Sequence, residues 1–263
     1  MKYFKNISIA LSGAALLLSC SDPNYPTPVT SSTVRSANVV FINAAPDATT
    51  PLPFLVNNAS AASISFPGGS LVPINPNSEQ FRITNAIYGV VSADTVSQKA
   101  DLVSQVTLLG NGTYTLILTD TVKRPFTKGS GFSTNKGGLT FTQITDVLTA
   151  PASGNAGIRF LNLAPGAPAL FLTAGGAALA GTLSASRAYK TTTNFTSFTA
   201  VTTGSYNLEI RTGSATGTIV ATLPSTALAD GKLYTIFASG KVVKIGSGTK
   251  VKVPYAITVT QHN

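Results

Sequence analysis

The sequence predicts an all-β protein: two tandem immunoglobulin-like antiparallel β-sandwich domains placed behind a signal peptide and a flexible tether. Three observations carry this. Runs rich in Val, Ile, Thr, Tyr and Phe are cut by Gly, Pro and Asn, the composition of short strands and tight turns. No stretch longer than the apolar leader keeps a helical period. And the chain repeats itself at one spacing, which decides architecture before any local reading.

The first element is the leader, residues 1–19. Lys2 and Lys5 precede a mostly apolar run from Ile7 to Leu18, followed by Ser19 and Cys20. A positive start, a short apolar core and a small residue before a cleavage point make a secretory signal peptide. The run is too short to span a bilayer, which takes roughly 20 apolar residues. Cys20 is the only cysteine in the chain, and Leu17-Leu18-Ser19-Cys20 resembles the lipobox of bacterial lipoproteins. Leu18 departs from the smaller residue usual at that place. The resemblance implies cleavage before Cys20, a diacylglycerol thioether on its sulfur and a fatty-acyl (palmitate-type) amide on the new amino terminus. One acyl chain binds a membrane marginally, two or more stably. The expected location is the outer membrane of a Gram-negative cell, with the periplasmic or surface face left open. The competing reading is a secreted protein whose cysteine lies inside the leader. An acylated Cys20 leaves no thiol for a disulfide, a metal or nucleophilic chemistry.

Residues 20–36 carry Pro23, Pro26 and Pro28 among Ser and Thr. Proline at that density favours extended, solvated backbone, so this segment is read as a lipid-anchored tether.

Residues 37–46, ANVVFINAAP, return as AGIRFLNLAP at 156–165, and GNGTYTLILTD at 110–120 returns as DGKLYTIFASG at 230–240. Phe81 and Phe198 fall between these at a similar spacing. The seam, near 149–156, divides a first sandwich (37–150) from a second (151–263). Val39–Ile42 and Leu116–Leu118 are continuous apolar runs, fit for strands covered on both faces. Tyr206, Leu208 and Ile210 alternate with polar neighbours, as do Val251, Val253, Tyr255, Ile257 and Val259, which predicts half-buried strands. Turn signals such as Gly110-Asn111-Gly112 and Asp230-Gly231 separate the runs. About seven strands per copy suit an immunoglobulin-like sandwich, with a partly closed barrel as the alternative.

Phe-x-Asn-x-Ala-Pro (Phe41 to Pro46, Phe160 to Pro165), Pro46-Asp47-Ala48, Gly204 to Tyr206, and Tyr-Thr-Leu/Ile (Tyr114 to Leu116, Tyr234 to Ile236) resemble the domain of unknown function 4397 family. The second copy departs from the usual turn, with Pro165-Gly166-Ala167-Pro168. Two tandem copies over 37–260 imply β-sandwiches of secreted or lipid-anchored bacterial proteins, and the family brings no catalytic residues.

Chemistry is sparse. The sole histidine, His262, sits beside the carboxyl end, where chains fray, so it is expected to be incidental. That argues against a Ser-His-Asp hydrolase or a His-ligated zinc site. The carboxylates show no calcium-loop spacing, and pairs such as Asp47 with Asp94 or Asp101 are weak candidates for glycosidase chemistry. Asp47 is expected to cap its own turn. No glycine-rich loop opens a helix, so no nucleotide, cofactor or metal is called for.

The formal net charge is +9, with charged residues at only 10%. Lys123, Arg124, Lys128 and Lys136 fall in a Gly/Ser-rich loop that also holds Phe126 and Phe132, a candidate ligand loop. Lys241, Lys244, Lys250 and Lys252 form a candidate basic face for anionic lipid or acidic glycan, set against the reading that they guard edge strands from aggregation. An exported chain without interleaved aromatics is not expected to bind nucleic acid. The expected function is a non-enzymatic, lipid-anchored envelope module of structural, adhesive or protein-binding type. The alternative is an accessory glycan-binding lipoprotein for polysaccharide capture.

Overall fold

The computed structural model describes residues 35–48, 50–90, 97–122, 138–192, 195–245 and 249–263. Cys20, the leader, the tether up to residue 34 and the loop holding Lys123, Arg124, Phe126, Lys128, Phe132 and Lys136 lie outside the described residues. The regular structure of the described chain is almost all strand. The first half contains β1 (Ala37–Asn43), β2 (Leu52–Val56), β3 (Ala59–Ile64), β4 (Gly68–Ile74), β5 (Ser78–Val90), β6 (Ser97–Thr107), β7 (Thr113–Asp120) and β8 (Leu139–Thr145). The second contains β9 (Asn155–Asn162), β10 (Leu170–Ala174), β11 (Ala177–Ala178), a 3-10 turn (Gly181–Ser184), β12 (Thr199–Thr202), β13 (Gly204–Thr212), β14 (Thr218–Leu228), β15 (Leu233–Ile245) and β16 (Thr249–Gln261).

Four sheets result, ordered β4-β1-β7-β8, β3-β2-β5-β6, β12-β9-β15-β16 and β11-β10-β13-β14. Each half is thus a sandwich of two four-stranded sheets, eight strands instead of the seven expected, and neither closes into a barrel. The second half repeats the strand order of the first. Pairing is antiparallel except where β1 meets β7 and β9 meets β15, which run parallel. A parallel neighbour needs a long crossover, and here the rest of each sandwich supplies it.

Alternation divides the strand side chains between two environments. On β1 and β7, Val39, Phe41, Leu116 and Leu118 point into the first sandwich, where Phe41 packs against Phe54 and Phe81 at ring distances of 5.0 and 5.7 Å. Ile158, Phe160, Leu172, Leu208, Ile210 and Ile236 do the same in the second. The other face of each inner sheet is also apolar. Val40, Ile42, Ala44, Ile117 and Ile144 of the first half form one buried cluster with Leu161, Leu163, Phe195 and Phe237 of the second. The two sandwiches therefore stack through sheets β4-β1-β7-β8 and β12-β9-β15-β16. Gly69 on β4 lies so close to Thr260 on β16 that a Cβ there would sit 2.4 Å from the Thr260 hydroxyl. This is why Val39–Ile42 and Leu116–Leu118 read as unbroken apolar runs: each is covered by its own sandwich on one side and by the other half on the other.

The repeated motifs prove to be hydrogen-bonding ties. Asn43 ends β1 fully buried, its amide donating to the Ile64 carbonyl at 2.9 Å and accepting from the Ala45 amide at 3.1 Å. Asn162 ends β9 in the same manner, donating to the Pro168 and Arg187 carbonyls at 3.0 Å each and accepting from Ala164. Tyr114 and Tyr234 each accept a backbone N–H five residues upstream, from Leu109 and Ala229, at 2.9 and 3.2 Å, the tie known as a tyrosine corner. Phe81 and Phe198 are not equivalent: Phe81 lies on β5 in the first core, whereas Phe198 precedes β12 at the joint. Spacing alone aligned them, while the strand order does not. The Asp47 carboxylate accepts the Val122 amide at 3.0 Å, a tie across 75 residues of sequence.

Candidate functional site at the joint between the sandwiches

The groups with most chemistry converge where the sandwiches meet. β9 runs through the joint as an apolar strand interrupted by Arg159. Register fixes its counterpart: Val40 pairs with Thr115 in the first half, and Arg159 pairs with Thr235 in the second. A guanidinium thus occupies in one half the place of a valine in the other. Arg159 is 2% exposed. Its Nη1 donates to Asp146 Oδ1 at 2.6 Å and to the Phe195 carbonyl at 2.7 Å, its Nη2 to the Thr115 hydroxyl at 2.6 Å, and its Nε to the Thr235 hydroxyl at 2.8 Å. The Phe198 ring lies 4.7 Å beneath it. Burial pulls the Arg159 pKa below its ordinary value, and the Asp146 charge opposes that.

Asp146 follows β8 and is itself buried. Its second oxygen accepts from the Thr115 hydroxyl at 2.7 Å and lies 3.5 Å from His262 Nδ1. His262 is not frayed. Its amide donates to the Leu233 carbonyl at 2.9 Å, its Nε2 meets the Thr235 hydroxyl at 2.6 Å, and it is 2% exposed against the edge of Phe198. The strand ladder continues past Gln261, so the terminal position is held by β-pairing and by Asn263, which accepts the Leu233 amide at 2.9 Å. Burial holds the His262 pKa below its ordinary value; the nearby Asp146 carboxylate pulls it up and the Arg159 cation pushes it down. The imidazole is accordingly neutral at pH 7.

Register also relates Asp146 to His262. Tyr114 pairs with Thr145 and Tyr234 with Gln261, so the next residues, Asp146 and His262, occupy equivalent places. Equivalent faces of the two halves thus meet, with Thr115 opposite Thr235 and Asp146 opposite His262, in the manner of a two-fold interface inside one chain.

A second polar cluster ties the same joint elsewhere. Asp120 at the end of β7 accepts from Tyr189 at 2.5 Å, from Lys190 at 2.7 Å and from the Thr140 hydroxyl at 2.8 Å. Burial alone would raise the Asp120 pKa, but the hydrogen bonds and the Lys190 charge outweigh it and hold it below the usual carboxylate value. Burial, with the Asp120 charge beside it, pushes the Tyr189 hydroxyl far up. Tyr189 and Lys190 come from the segment between the 3-10 turn and β12, and Thr140 from β8.

Hydroxyl, imidazole and carboxylate stand in relay order at Thr235, His262 and Asp146. All three are buried in the joint, Thr235 fully so, and this arrangement offers a substrate no path to the hydroxyl. Among the described residues no group of three or more His, Cys, Asp or Glu could hold a metal ion. Asp101 is engaged by Arg82 at 3.2 Å on the outer sheet β3-β2-β5-β6, and Asp94 lies outside the described residues.

The candidate basic face falls on a two-stranded ribbon. Beyond Ala238, the last residue of β15 that pairs with β9, the strand continues with β16, where Val242 pairs with Lys252 and Lys244 with Lys250, whereas Lys241 pairs with Val253. A register shift after Ser239, at Gly240, separates this ribbon from the sandwich part of the hairpin.

A profile of the family described as Domain of unknown function (DUF4397) matches residues 37–173. The chain belongs to the DUF4397 family. The match covers all of the first sandwich and continues through β9 and most of β10. Among curated proteins, none matches the chain. Arg159 and Asp146 were not singled out by sequence reasoning. The available signal was an arginine inside an apolar strand at the place where the first copy carries Val40.

Proposed function

We propose that this DUF4397 protein is a non-enzymatic, lipid-anchored module of the cell envelope. In this reading residues 1–19 export it, acylated Cys20 holds it at the outer membrane, and two tandem DUF4397 copies are presented as one structural, adhesive or protein-binding body. The observation that supports it best is the placement of the chain's only histidine with Arg159 and Asp146: all three lie inside the joint, where they couple the two halves. A stacked pair of sandwiches is suited to holding an outer surface rigidly at the end of a tether.

The anchor is tested by growing cells with labelled palmitate. Label should enter the wild-type protein and not a Cys20→Ala variant, which should leave the membrane fraction. Label retained by the variant, or absent from the wild type, would refute the anchor.

A further inference from the structure

The segment between the 3-10 turn and β12 holds an arginine that has no counter-charge among the described residues. Arg187 is fixed through its backbone: it exchanges two hydrogen bonds with Leu170, at 2.9 and 2.7 Å, and its carbonyl accepts from Asn162. Its side chain lies over Phe195, with Cζ 4.7 Å from the ring centroid, and the residue is 9% exposed. Nη1 donates to the Ser186 carbonyl at 3.3 Å and Nη2 to the Thr182 carbonyl. Both acceptors are neutral, and the Nε–H is buried with no acceptor.

Among the described residues no carboxylate pairs with Arg187, whereas Arg159, Arg82 and Arg211 each have one. Burial pulls its pKa below the ordinary value, as expected for a desolvated cation without a charged partner. A guanidinium nevertheless stays protonated, so the charge must be matched or its desolvation borne. The Phe195 stack offsets on the order of 1 kcal/mol of that.

Beside this group is a cavity of about 350 Å³, lined by Thr182, Ala185, Ser186, Arg187, Ala188, Thr191 and Phe195. Its size matches the small end of ligand pockets. Among the described residues the lining holds one positive charge, no negative charge, three hydroxyls, two alanine methyls and an aromatic ring. One unmatched charge fits a monoanion, since a doubly charged oxyanion would keep one charge uncompensated. A planar guanidinium suits a carboxylate, and several neutral hydroxyls suit a polyol frame.

We propose that this cavity is a binding site for a carboxylated sugar, one hexuronate ring, with Arg187 taking the carboxylate and Thr182, Ser186 and Thr191 taking ring hydroxyls. The site goes beyond the envelope reading and stands whether or not Cys20 carries lipid. The Phe195 carbonyl bonded to Arg159 places it next to the joint.

Calorimetric titration of the purified protein with galacturonate and glucuronate, with galactose and glucose as neutral counterparts, and with sodium sulfate tests the proposal. Uronates should bind saturably, and neutral sugars and sulfate at least tenfold more weakly. Arg187→Gln should weaken uronate binding at least tenfold. Because that variant also loses two internal bonds, Ala188→Trp, which fills the cavity and keeps Arg187, serves as the second arm; it should abolish binding with little change in melting temperature. The Arg187 Nε–H resonance should move on adding uronate. No uronate binding, sulfate or neutral sugar binding equally well, or uronate binding that survives Ala188→Trp would overturn the site.

Discussion

Replacing Asp146 by alanine removes the counter-charge of a guanidinium that is 2% exposed. Arg159 would keep its bonds to the Phe195 carbonyl and to the Thr115 and Thr235 hydroxyls, but all of these acceptors are neutral. Breaking one partner out of a buried ion pair costs about 3–5 kcal/mol, because the remaining charge stays desolvated. Thr115 also loses the acceptor of its own hydrogen, which moves the cost toward the upper end. For a protein of this size such a loss lowers the melting temperature by on the order of 10 °C. The double variant Asp146→Ala/Arg159→Val separates charge from packing, since valine already fills the equivalent place at Val40. It should recover most of the loss. Urea unfolding of wild type, both single variants and the double variant would measure the cycle. A cost below about 1 kcal/mol for Asp146→Ala, or a double variant no more stable than Asp146→Ala, would refute the argument that a desolvated charge dominates this joint.

Two further outcomes follow from the same geometry. His262 has a lowered pKa in the folded protein, so between its folded value and the ordinary value near 6.5 the unfolded chain binds a proton that the native one does not; stability is fully present above that window and falls by about 1.4 kcal/mol per pH unit as pH drops through it. His262→Asn should flatten that slope in unfolding measured from pH 7 to pH 5, while the Asp120 contribution, lost only below the ordinary carboxylate range, remains. Tyr234→Phe removes the acceptor of the Ala229 amide and should cost about 1 kcal/mol by denaturant midpoint, with Tyr114→Phe matching it in the first half.

The strand content, the turns and the repeat were legible because each leaves a local mark: period-two alternation at Leu208 and Ile210, glycines at turns, and paired motifs ending in Asn43 and Asn162. The stacking of the halves was half-legible. Val39–Ile42 announced cover on both faces without saying that the second cover is the other sandwich. The buried cluster was hidden because its members come from β7, β8, β9, β15 and the end of β16, and only register brings Asp146 beside His262. His262 misled because position near a terminus stood in for exposure, whereas a strand ladder carries pairing to the last residues.

The near two-fold joint has a consequence for crowding. Equivalent faces built alike would allow a first half to settle onto the first half of a neighbouring molecule as readily as onto its own partner. Departures from likeness change this: Arg159 stands where the first half has Val40, and His262 where it has Asp146. Two first halves meeting through this face would set one Asp146 carboxylate against another, and two second halves would set guanidinium against guanidinium, both desolvated. Only unlike halves match in charge, so the ion pair acts as a recognition key within the molecule. It keeps neighbouring copies from exchanging inner faces of the same kind.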